Sequence, residues 1–445
     1  MALKFGTDGV RGLANQELTP ELALTLGRAA ARVLGGRRWL IGRDTRRSGP
    51  LLAAALAAGL ASEGVEVIDL GVLPTPGVAH LSAVEGLGAA MISASHNPFG
   101  DNGIKIFAAG GHKLSDVTED ALEAELAALA AGGDPRPRPS GGAVGSIEAD
   151  TSALHRYIDH LVDAVERGPS MSLSVVVDAA NGAASAVAAP VLRSAGATVT
   201  AIHDRPDGVN INSACGSTHP GDLQRAVVEH GAEIGFAFDG DADRVLAVDH
   251  TGAIVDGDQI IGICAVDRRR RGVLAHDTVV VTVMTNLGFR QSMATHGISV
   301  LETSVGDRHV LEALDHGGFS LGGEQSGHVI FRDQATTGDG VLTALHLLDV
   351  IGRSGRPLAE VAADTMVRLP QVLINVATPG RAPKVLDHLA ADVAAAEARL
   401  GDRGRVLLRP SGTEAMVRVM VEAPTDAEAT EVANQLAAAV RTRSP

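Results

Sequence analysis

Three aspartates at alternate positions form the strongest chemical signal in this sequence. Asp239, Asp241 and Asp243 follow a short apolar run and precede Arg244. Carboxylates at alternate positions of a turn can converge on one hard cation, and Mg²⁺ favours a few carboxylates completed by phosphate or water oxygens. An EF-hand calcium loop is excluded, because its sixth position would be Arg244 instead of glycine and its twelfth His250 instead of glutamate. Three aspartates after a buried strand are costly unless they bind something, so a metal site is favoured over a solvated acidic turn.

A serine in a turn is the second candidate. Ser95 and His96 follow the apolar run 89–92, so we expect a strand to deliver them to a loop. Asn97 and Pro98 favour a tight turn, which we expect to lift Ser95 clear of the sheet as an exposed nucleophile. An ordinary serine-rich turn with a hydrogen-bonding histidine explains the segment equally well when it is taken alone.

Two glycine-bearing segments carry polar groups suited to sugars and phosphates. In residues 321–328 the glycines allow a ligand to approach closely, and Glu324 and Ser326 offer acceptor and donor groups for sugar hydroxyls. In residues 409–414, Arg409, two hydroxyls and backbone N–H groups form a candidate phosphate nest. A glycine-rich turn with chance polar residues is the alternative for each segment.

Three segments repeat one plan that would position these loops. Residues 39–67, 174–199 and 278–300 each run from a β-branched stretch through a polar turn and an Ala-rich stretch to a glycine and a second apolar run. Apolar strands that alternate with helices predict βαβ units and mostly parallel sheets. After Leu369 the pattern changes to strand, helix, two strands and helix, which predicts a small α+β domain.

The length of 445 residues favours two to four domains. Residues 132–142 are rich in Gly and Pro and predict a surface loop or linker near the first boundary. The sequence therefore predicts three similar α/β domains with mixed or parallel sheets and a C-terminal α+β domain. We place the domains at 1–150, 151–252, 253–368 and 369–445.

Composition limits the environment and the partners. The formal charge of −15, from 38 basic and 53 acidic residues, opposes attraction to nucleic acid or to an anionic membrane surface. An anionic substrate would then need a local basic site or a metal. With only Cys215 and Cys264 we expect no disulfide framework, and without an apolar signal segment we expect a cytoplasmic protein. The longest apolar stretch, 51–61, is too short to span a bilayer and predicts a packed helix.

These segments, taken in order, resemble the α-D-phosphohexomutase superfamily. The resemblance covers essentially the whole chain, from Thr7 to Glu414. It implies four domains around a central cleft, with Ser95 as the carrier of the phosphoryl group. It also implies that the three aspartates bind Mg²⁺ together with the phosphoserine. The residues that would select the sugar are Glu324 and Ser326, and those that would grip its phosphate are Arg409, Ser411, Gly412, Thr413 and Arg418.

The resemblance extends to groups that would move protons. Lys105 matches the superfamily position proposed as a general acid or base, and His328 is a second candidate that could equally be a surface histidine. Arg11 lies among glycines near the start, where it either steadies a phosphorylated side chain or belongs to a turn. The candidate catalytic residues are Ser95, Lys105, His96, Arg11, Arg244 and His328.

Three segments are similar to the branch of the superfamily that acts on glucosamine phosphates: 97–105, 305–308 and 323–328. His309 departs from that branch, in which a tyrosine is expected. The resemblance implies reversible conversion of glucosamine 6-phosphate to glucosamine 1-phosphate through glucosamine 1,6-bisphosphate, with one Mg²⁺ per site.

Three other functions stay open: a mutase for mannose or glucose phosphates, a non-catalytic sugar-phosphate-binding protein, and a phosphatase. The partner expected in each case is a small sugar phosphate, with no nucleic acid and no membrane. The sequence leaves the oligomeric state open, with a homodimer as one option.

Overall fold

The chain forms two compact units. The first comprises Met1–Val283 and Ile298–Ala363, and the second comprises Met284–Gly297 and Asp364–Pro445. A computed structural model describes residues 9–132, 136–165, 172–378, 383–410 and 415–443. None of the described helices is both long and apolar enough to cross a membrane.

Seven of the described strands form the first sheet of the first unit. They are β1 (Val10–Leu13), β2 (Arg38–Arg43), β3 (Glu66–Val72), β4 (Gly88–Ile92), β5 (Asp101–Ala108), β6 (His112–Lys113) and β7 (Ile147–Ala149). The order is β1-β5-β4-β2-β3-β7, and β6 pairs with β5. Strands β4, β2, β3 and β7 run parallel, whereas β5 is antiparallel to β4 and to β1. The helices of this region are α1 (Pro20–Leu34), α2 (Gly49–Ser62), α3 (Thr75–Glu85), α4 (Asp116–Ala130) and α5 (Ala153–Asp163).

Helices α1 and α2 cross closely beside this sheet because each has a glycine at the contact. A Cβ atom at Gly27 would lie 2.3 Å from the carbonyl oxygen of Leu56, and one at Gly59 would lie 2.1 Å from that of Leu24. The predicted packed helix at 51–61 is confirmed as α2. Its buried residues join those of α1 and Trp39 in one hydrophobic core.

Two further sheets follow in the first unit. The second contains β8 (Ser174–Asp178), β9 (Thr198–Ile202), β10 (Ile234–Phe238), β11 (Val245–Asp249) and β12 (Ile254–Val255), with helices α6 (Ala188–Ser194), α7 (Gly221–His230) and α8 (Gly257–Arg270). The third contains β13 (Thr278–Thr282), β14 (Ser299–Thr303), β15 (Leu321–Gly323) and β16 (Val329–Phe331). The helices that follow β13 along the chain are α9 (Leu287–Thr295), α10 (Asp307–Gly317), α11 (Gly340–Ser354) and α12 (Leu358–Thr365).

The three sheets share one strand order. It is β3-β2-β4-β5 in the first sheet, β9-β8-β10-β11 in the second and β14-β13-β15-β16 in the third. In each set the first three strands are parallel and the last is antiparallel to its neighbour. The repeated plan seen in the sequence is thereby confirmed. Each candidate loop connects the third strand to the fourth, and so occupies the same place in its own sheet.

The second unit has a different architecture. Its described strands, β17 (Gln371–Ala377), β18 (Arg405–Pro410) and β19 (Met416–Glu422), form an antiparallel sheet in the order β17-β19-β18. Helices α13 (Pro383–Leu400) and α14 (Asp426–Arg443) follow β17 and β19 along the chain. The predicted α/β fold with a C-terminal α+β domain is confirmed, while the domain boundaries at 150, 252 and 368 stay predictions.

Candidate active site

The turn that carries Ser95 meets the acidic loop, by which we mean residues 239–244. The Ser95 hydroxyl donates a hydrogen bond to Oδ2 of Asp239 at 2.6 Å. Contact this close requires a glycine in the acidic loop, because a Cβ atom at Gly240 would lie 2.5 Å from the carbonyl oxygen of Ser95. Two loops that belong to different sheets therefore bring a hydroxyl and a carboxylate together.

Ser95 is buried, which corrects the expectation of an exposed nucleophile. Only 1% of its surface is accessible, because the acidic loop covers its hydroxyl. Its backbone adopts a left-handed conformation with φ of 51°, which a residue other than glycine rarely does. Its N–H donates to the hydroxyl of Ser93 at 2.9 Å, which helps to hold the turn. The Ser95 side chain therefore faces Asp239 of the acidic loop and not the solvent.

The three aspartates of the acidic loop converge as the sequence predicts. All three are buried, and one carboxylate oxygen from each lies within 4.8 Å of the others. The Oδ1 atoms of Asp241 and Asp243 are buried without a hydrogen-bond partner. Buried carboxylate oxygens of this kind are costly unless a cation binds them. The donor set is all oxygen, which suits a hard divalent cation such as Mg²⁺.

Two neighbours hold the middle aspartate in place. The Thr75 hydroxyl donates to Oδ2 of Asp241 at 2.6 Å, and the Lys105 ammonium donates to the same atom at 2.9 Å. Lys105 also contacts Oδ2 of Asp243 at 3.4 Å.

The pKa values of the three carboxyl groups are pushed apart. Burial raises the pKa of Asp239 well above its usual range, and the Asp243 and Asp241 charges raise it further. Burial and Asp243 also act to raise the pKa of Asp241, but Lys105 and Thr75 outweigh them and lower it. For Asp243 burial is outweighed by Lys105 and His328, so its pKa is well below the ordinary value. Protonation or a cation at Asp239 relieves this repulsion.

His328 is buried behind Asp243. Its Nδ1 lies 3.8 Å from Oδ2 of Asp243, and its Nε2 lies 3.6 Å from Oδ2 of Asp307. The amide of Gly338 donates to Nε2 at 3.1 Å, so we assign the proton of the neutral ring to Nδ1, which faces Asp243. Burial acts to lower the pKa of His328, but Asp243 and Asp307 outweigh it and raise it. The sequence alternative of a surface histidine is wrong.

Asp307 and Lys113 continue this line of charges. The two residues form an ion pair. Burial acts to raise the pKa of Asp307, but the charges of Lys113 and His328 outweigh burial and lower this pKa to about 2. A pocket beside the acidic loop is lined by charged residues from both sides: Lys105, Lys113, Glu119, Asp243 and Asp307.

His96 is a direct neighbour of the Ser95 hydroxyl. Its Nδ1 is 3.2 Å from the Ser95 hydroxyl oxygen. Burial, Arg244 and Arg11 lower the pKa of His96 below its ordinary value, so the ring is neutral near pH 7. Arg244 also lies 3.8 Å from Oδ1 of Asp243. The predicted catalytic residues Arg11, His96 and Arg244 therefore share the electrostatic environment of Ser95.

The third sheet supplies the loop with Glu324 and Ser326. The N–H of Gly306, just before α10, donates to Oε1 of Glu324 at 3.1 Å. The exposed Ser326 hydroxyl donates to Oε2 of Glu324 at 3.4 Å. The loop is tight because a Cβ atom at Gly327 would lie 2.1 Å from the carbonyl oxygen of Val245. These two polar side chains are therefore held next to each other, with Ser326 open to solvent.

The second unit holds the remaining predicted residues. Arg409 on β18 lies directly opposite Arg418 on β19. Burial and the Arg418 charge lower the pKa of Arg409, so the two guanidinium groups disfavour each other. Among the described residues, none is a hydrogen-bond partner of the buried Nε of Arg418. An anion between the two side chains would relieve both conditions. Ser411, Gly412 and Thr413 lie outside the described residues.

Sequence reasoning missed several residues that support the site. Thr75 carries no signal other than a polar side chain before a helix, and it comes to Asp241 only through packing. Asp307 belongs to a segment used only to distinguish branches of the superfamily, yet it contacts both Lys113 and His328. Polar residues just after predicted strands would have been a useful signal, because such positions face the ends of neighbouring sheets.

Comparison with known proteins supports one family over the whole chain. The alpha/beta/alpha domains I, II and III of phosphoglucomutase/phosphomannomutase match residues 2–132, 155–252 and 256–369, and the C-terminal domain of that family matches residues 373–439. Among curated relatives, the phosphoglucosamine mutase of Saccharopolyspora erythraea is 57% identical over 450 residues and covers 98% of both chains. The phosphoglucosamine mutase of Frankia alni is 55% identical over 459 residues, covering 100% of this chain and 99% of the relative.

Solved structures have the same fold. A phosphoglucomutase/phosphomannomutase family protein from Burkholderia thailandensis has a TM-score of 0.83 at 26% identity, covering 99% of this chain and 97% of the other. An Aspergillus fumigatus N-acetylphosphoglucosamine mutase in complex with GlcNAc-6P and magnesium has a TM-score of 0.68 at 19% identity, covering 100% and 96%. With four matching domains and relatives above 50% identity along its length, this chain belongs to the phosphoglucomutase/phosphomannomutase family.

Proposed function

We propose that this protein is a phosphoglucosamine mutase that interconverts glucosamine 6-phosphate and glucosamine 1-phosphate. The observation that carries the proposal is the 2.6 Å contact between the Ser95 hydroxyl and Asp239, within three buried aspartates of which two have an oxygen without a hydrogen-bond partner among the described residues. A phosphoryl carrier placed beside a cation site is what a phosphoserine mutase requires. The choice of glucosamine rests on the relatives that are 53–57% identical over the whole chain and bear that name.

The aspartates fit a divalent cation, and we propose Mg²⁺. Asp239, Asp241 and Asp243 would hold it together with an oxygen on Ser95. The Oδ1 atoms of Asp241 and Asp243 support this fit, because neither accepts a hydrogen bond from a described residue and a cation would supply a ligand contact to both. When bound, the ion neutralises the charge that develops on the phosphoryl group during transfer.

The reaction proposed for these residues conserves phosphate overall. Phosphorylated Ser95 gives its phosphoryl group to the free hydroxyl of the sugar phosphate: the bond from phosphorus to Oγ breaks and one to the sugar oxygen forms. The hydroxyl proton passes to a basic group of the site. After the bisphosphate turns over, its other phosphate returns to Oγ of Ser95 and a proton returns to the sugar oxygen left behind.

Lys105 and His328 are the proposed groups for proton transfer. Lys105 lies 2.9 Å from Oδ2 of Asp241 and 3.4 Å from Oδ2 of Asp243, so its ammonium is placed at the acidic loop beside the proposed cation site. His328 is 2% exposed and contacts Asp243 from behind, which favours an indirect role through that aspartate. His96 is neutral and lies 3.2 Å from Oγ of Ser95, so it is a third candidate.

Binding of the sugar phosphate is assigned to two other sets of residues. Glu324 and Ser326 present an acceptor and a donor for sugar hydroxyls or an amino group. Arg409 and Arg418, with Ser411, Gly412 and Thr413, are proposed to grip the phosphate that does not react. We further propose a cytoplasmic location and four domains with the boundaries given above.

The decisive experiment compares sugar phosphates on one enzyme preparation. We expect the highest kcat/KM with glucosamine phosphates, and lower values with glucose and mannose phosphates. A preference for mannose or glucose phosphate would assign the protein to the other branch of the family. Release of inorganic phosphate without isomer formation would indicate a phosphatase, and binding without turnover would indicate a non-catalytic protein.

Intact-mass measurement before and after addition of bisphosphate tests for one phosphate on the chain, which Ser95→Ala should abolish.

A further inference from the structure

Arg46 is a fully buried arginine that the proposed reaction does not use. It follows β2, and none of its side-chain surface is accessible. Its Nε donates to Oδ2 of Asp44 at 2.9 Å, so its charge is paired inside the protein. A buried guanidinium is retained only where its donors are satisfied, and the positions of those donors show what it holds.

The other donors of Arg46 all point to the turn of Ser95. One terminal nitrogen donates to the carbonyl oxygens of Ser95 at 2.9 Å and of Asn97 at 2.8 Å. The second donates to the carbonyl oxygens of Asp101, at 3.0 Å, and Pro98. With the bond to Asp44, all N–H groups of the guanidinium are occupied. Arg46 thus has no donor left for a substrate or a phosphate.

Asp44 holds the start of the same turn. It accepts a hydrogen bond from the Ser93 hydroxyl at 2.6 Å, and that hydroxyl accepts from the N–H of Ser95 at 2.9 Å. The Asp44–Arg46 ion pair therefore contacts the turn before, at and after the reacting serine.

Asn212 reaches the same carbonyl oxygens from the second sheet's side. Its side-chain amide donates to Ser95 at 2.8 Å and to Asn97 at 3.0 Å. The residue is buried, and its own backbone is left-handed with φ of 57°. Its N–H donates to the carbonyl oxygen of Ala180, which fixes it to the loop after β8. Two loops from two sheets thus grip one pair of carbonyl groups.

We propose that Arg46 and Asn212 position the Ser95 hydroxyl for phosphoryl transfer by holding the carbonyl groups of Ser95 and Asn97. We call this pair of side chains the carbonyl clamp. The inference rests on the proposed function. A left-handed serine is strained and persists only when its surroundings hold it. In-line transfer also demands a fixed nucleophile, since a shift of about 1 Å costs roughly 100-fold in rate. Both are positioning residues, because neither touches the reacting atoms.

The first test is Asn212→Gly, which removes the amide but keeps a residue that accepts positive φ. We expect kcat to fall about 10- to 100-fold, with KM within about threefold of the wild-type value. The Mg²⁺-dependent rise in Tm should persist, because the acidic loop is untouched. The matched control is Asn15→Gly, which makes the same exchange at an exposed residue with φ of 62°.

Arg46→Lys is the second variant. It keeps the charge beside Asp44 but has three N–H donors, too few for the carbonyl groups that Arg46 contacts. We expect a larger fall in kcat than for Asn212→Gly. Its control is Arg38→Lys, at an exposed arginine on β2 that pairs with Glu66 at the surface. If Arg46→Lys does not fold, the kinetics of Asn212→Gly test the carbonyl clamp on their own.

Hydrogen exchange provides a readout that needs no substrate. We expect faster amide exchange in residues 93–101 of Asn212→Gly, and no change in the acidic loop or in Asn15→Gly. Wild-type kcat in Asn212→Gly, an equal loss in Asn15→Gly, or unchanged exchange at 93–101 would each overturn the clamp. If the wild-type protein turns over no sugar phosphate, the proposed function fails. The exchange measurement then decides alone whether Asn212 holds the turn.

Discussion

Two groups of aspartates in the first unit have opposite electrostatic surroundings. In the acidic loop, Asp241 and Asp243 share the ammonium of Lys105, and the buried Oδ1 atom of each accepts no hydrogen bond from a described residue. Between α8 and α11, Arg353 donates to both oxygens of Asp267 and to both oxygens of Asp349. We call the latter three residues the α8–α11 ion-pair cluster. The first group could hold a metal ion, whereas in the second the arginine satisfies both carboxylates.

The pKa values of two buried histidines differ in the same way between the two regions. His328 lies against the acidic loop, and its pKa is raised because Asp243 and Asp307 outweigh burial. His346 lies on α11, where burial and then Arg268, Arg271 and Arg353 lower its pKa to about 3. Its ring stacks on Phe331 with centroids 4.0 Å apart. Unbalanced negative charge therefore marks the acidic loop as the place for a cation, and balanced charge marks the α8–α11 region as structural.

The largest expected effect is the loss of activity in Ser95→Ala. The alanine removes the atom that carries the phosphoryl group, so we expect kcat to fall at least about 1,000-fold while the protein still folds. The matched control is Ser354→Ala, at the end of α11 beside the ion-pair cluster, which should keep wild-type activity. Steady-state kinetics and circular dichroism on both variants make the comparison. Full turnover by folded Ser95→Ala would show that Ser95 is not the phosphoryl carrier.

The second prediction exchanges one carboxylate in each region. Asp241→Asn should abolish most of the stabilisation by Mg²⁺, which amounts to about 2.7 kcal/mol at 100 times the Kd. Asp267→Asn should leave that stabilisation intact and lower the free energy of unfolding by about 1 kcal/mol, since it breaks an ion pair with Arg353. Thermal melts with Mg²⁺ and with a chelator measure both. Equal Mg²⁺ shifts in wild type and Asp241→Asn would show that the cation binds elsewhere.

The third prediction concerns pH and His346. Its pKa is about 3 in the folded state and 6.5 ordinarily, so the unfolded chain binds the proton more tightly. Stability should therefore fall as pH drops below 6.5, by about 2 kcal/mol at pH 5 from this residue. His346→Gln stays uncharged and should flatten the dependence of Tm on pH by that amount. An unchanged slope in the variant would mean that the arginines do not disfavour the proton.

The smallest expected effect is that of Arg353→Lys. The lysine keeps the charge but cannot bind the two aspartates with a planar fork, so we expect a loss of about 0.5–1 kcal/mol in the free energy of unfolding. Activity and the Mg²⁺ shift should stay at wild-type values. Denaturant titration measures the stability, with Arg356→Lys, which pairs with Glu360 on the surface, as the control. A loss of Mg²⁺ binding in Arg353→Lys would contradict the separation of the two regions.

Much of the fold could be predicted because its signals are local. Strands such as Ile234–Phe238 and helices such as Gly49–Ser62 are marked by apolar runs bounded by polar or glycine residues. The aspartates of the acidic loop converge as predicted, since three residues at alternate positions of one turn can meet without help from the rest of the chain. The burial of Ser95 was predicted wrongly, because a turn at a strand end gives no indication of what will cover it.

The sequence by itself determined how the chain is divided into repeated β and α elements and predicted which loops are candidates for chemistry, because both depend on residues close together in the chain. Only the tertiary structure decided that Ser95 meets Asp239, that Thr75 and Lys105 hold Asp241, and that Asn212 joins Arg46. Together with the hydrogen bonds of Arg46 and Asn212 to the carbonyl oxygen of Ser95, these contacts join residues 49 to 166 positions apart. They arise because the sheets pack with their loop ends together, an arrangement set by the burial of apolar faces along the whole chain.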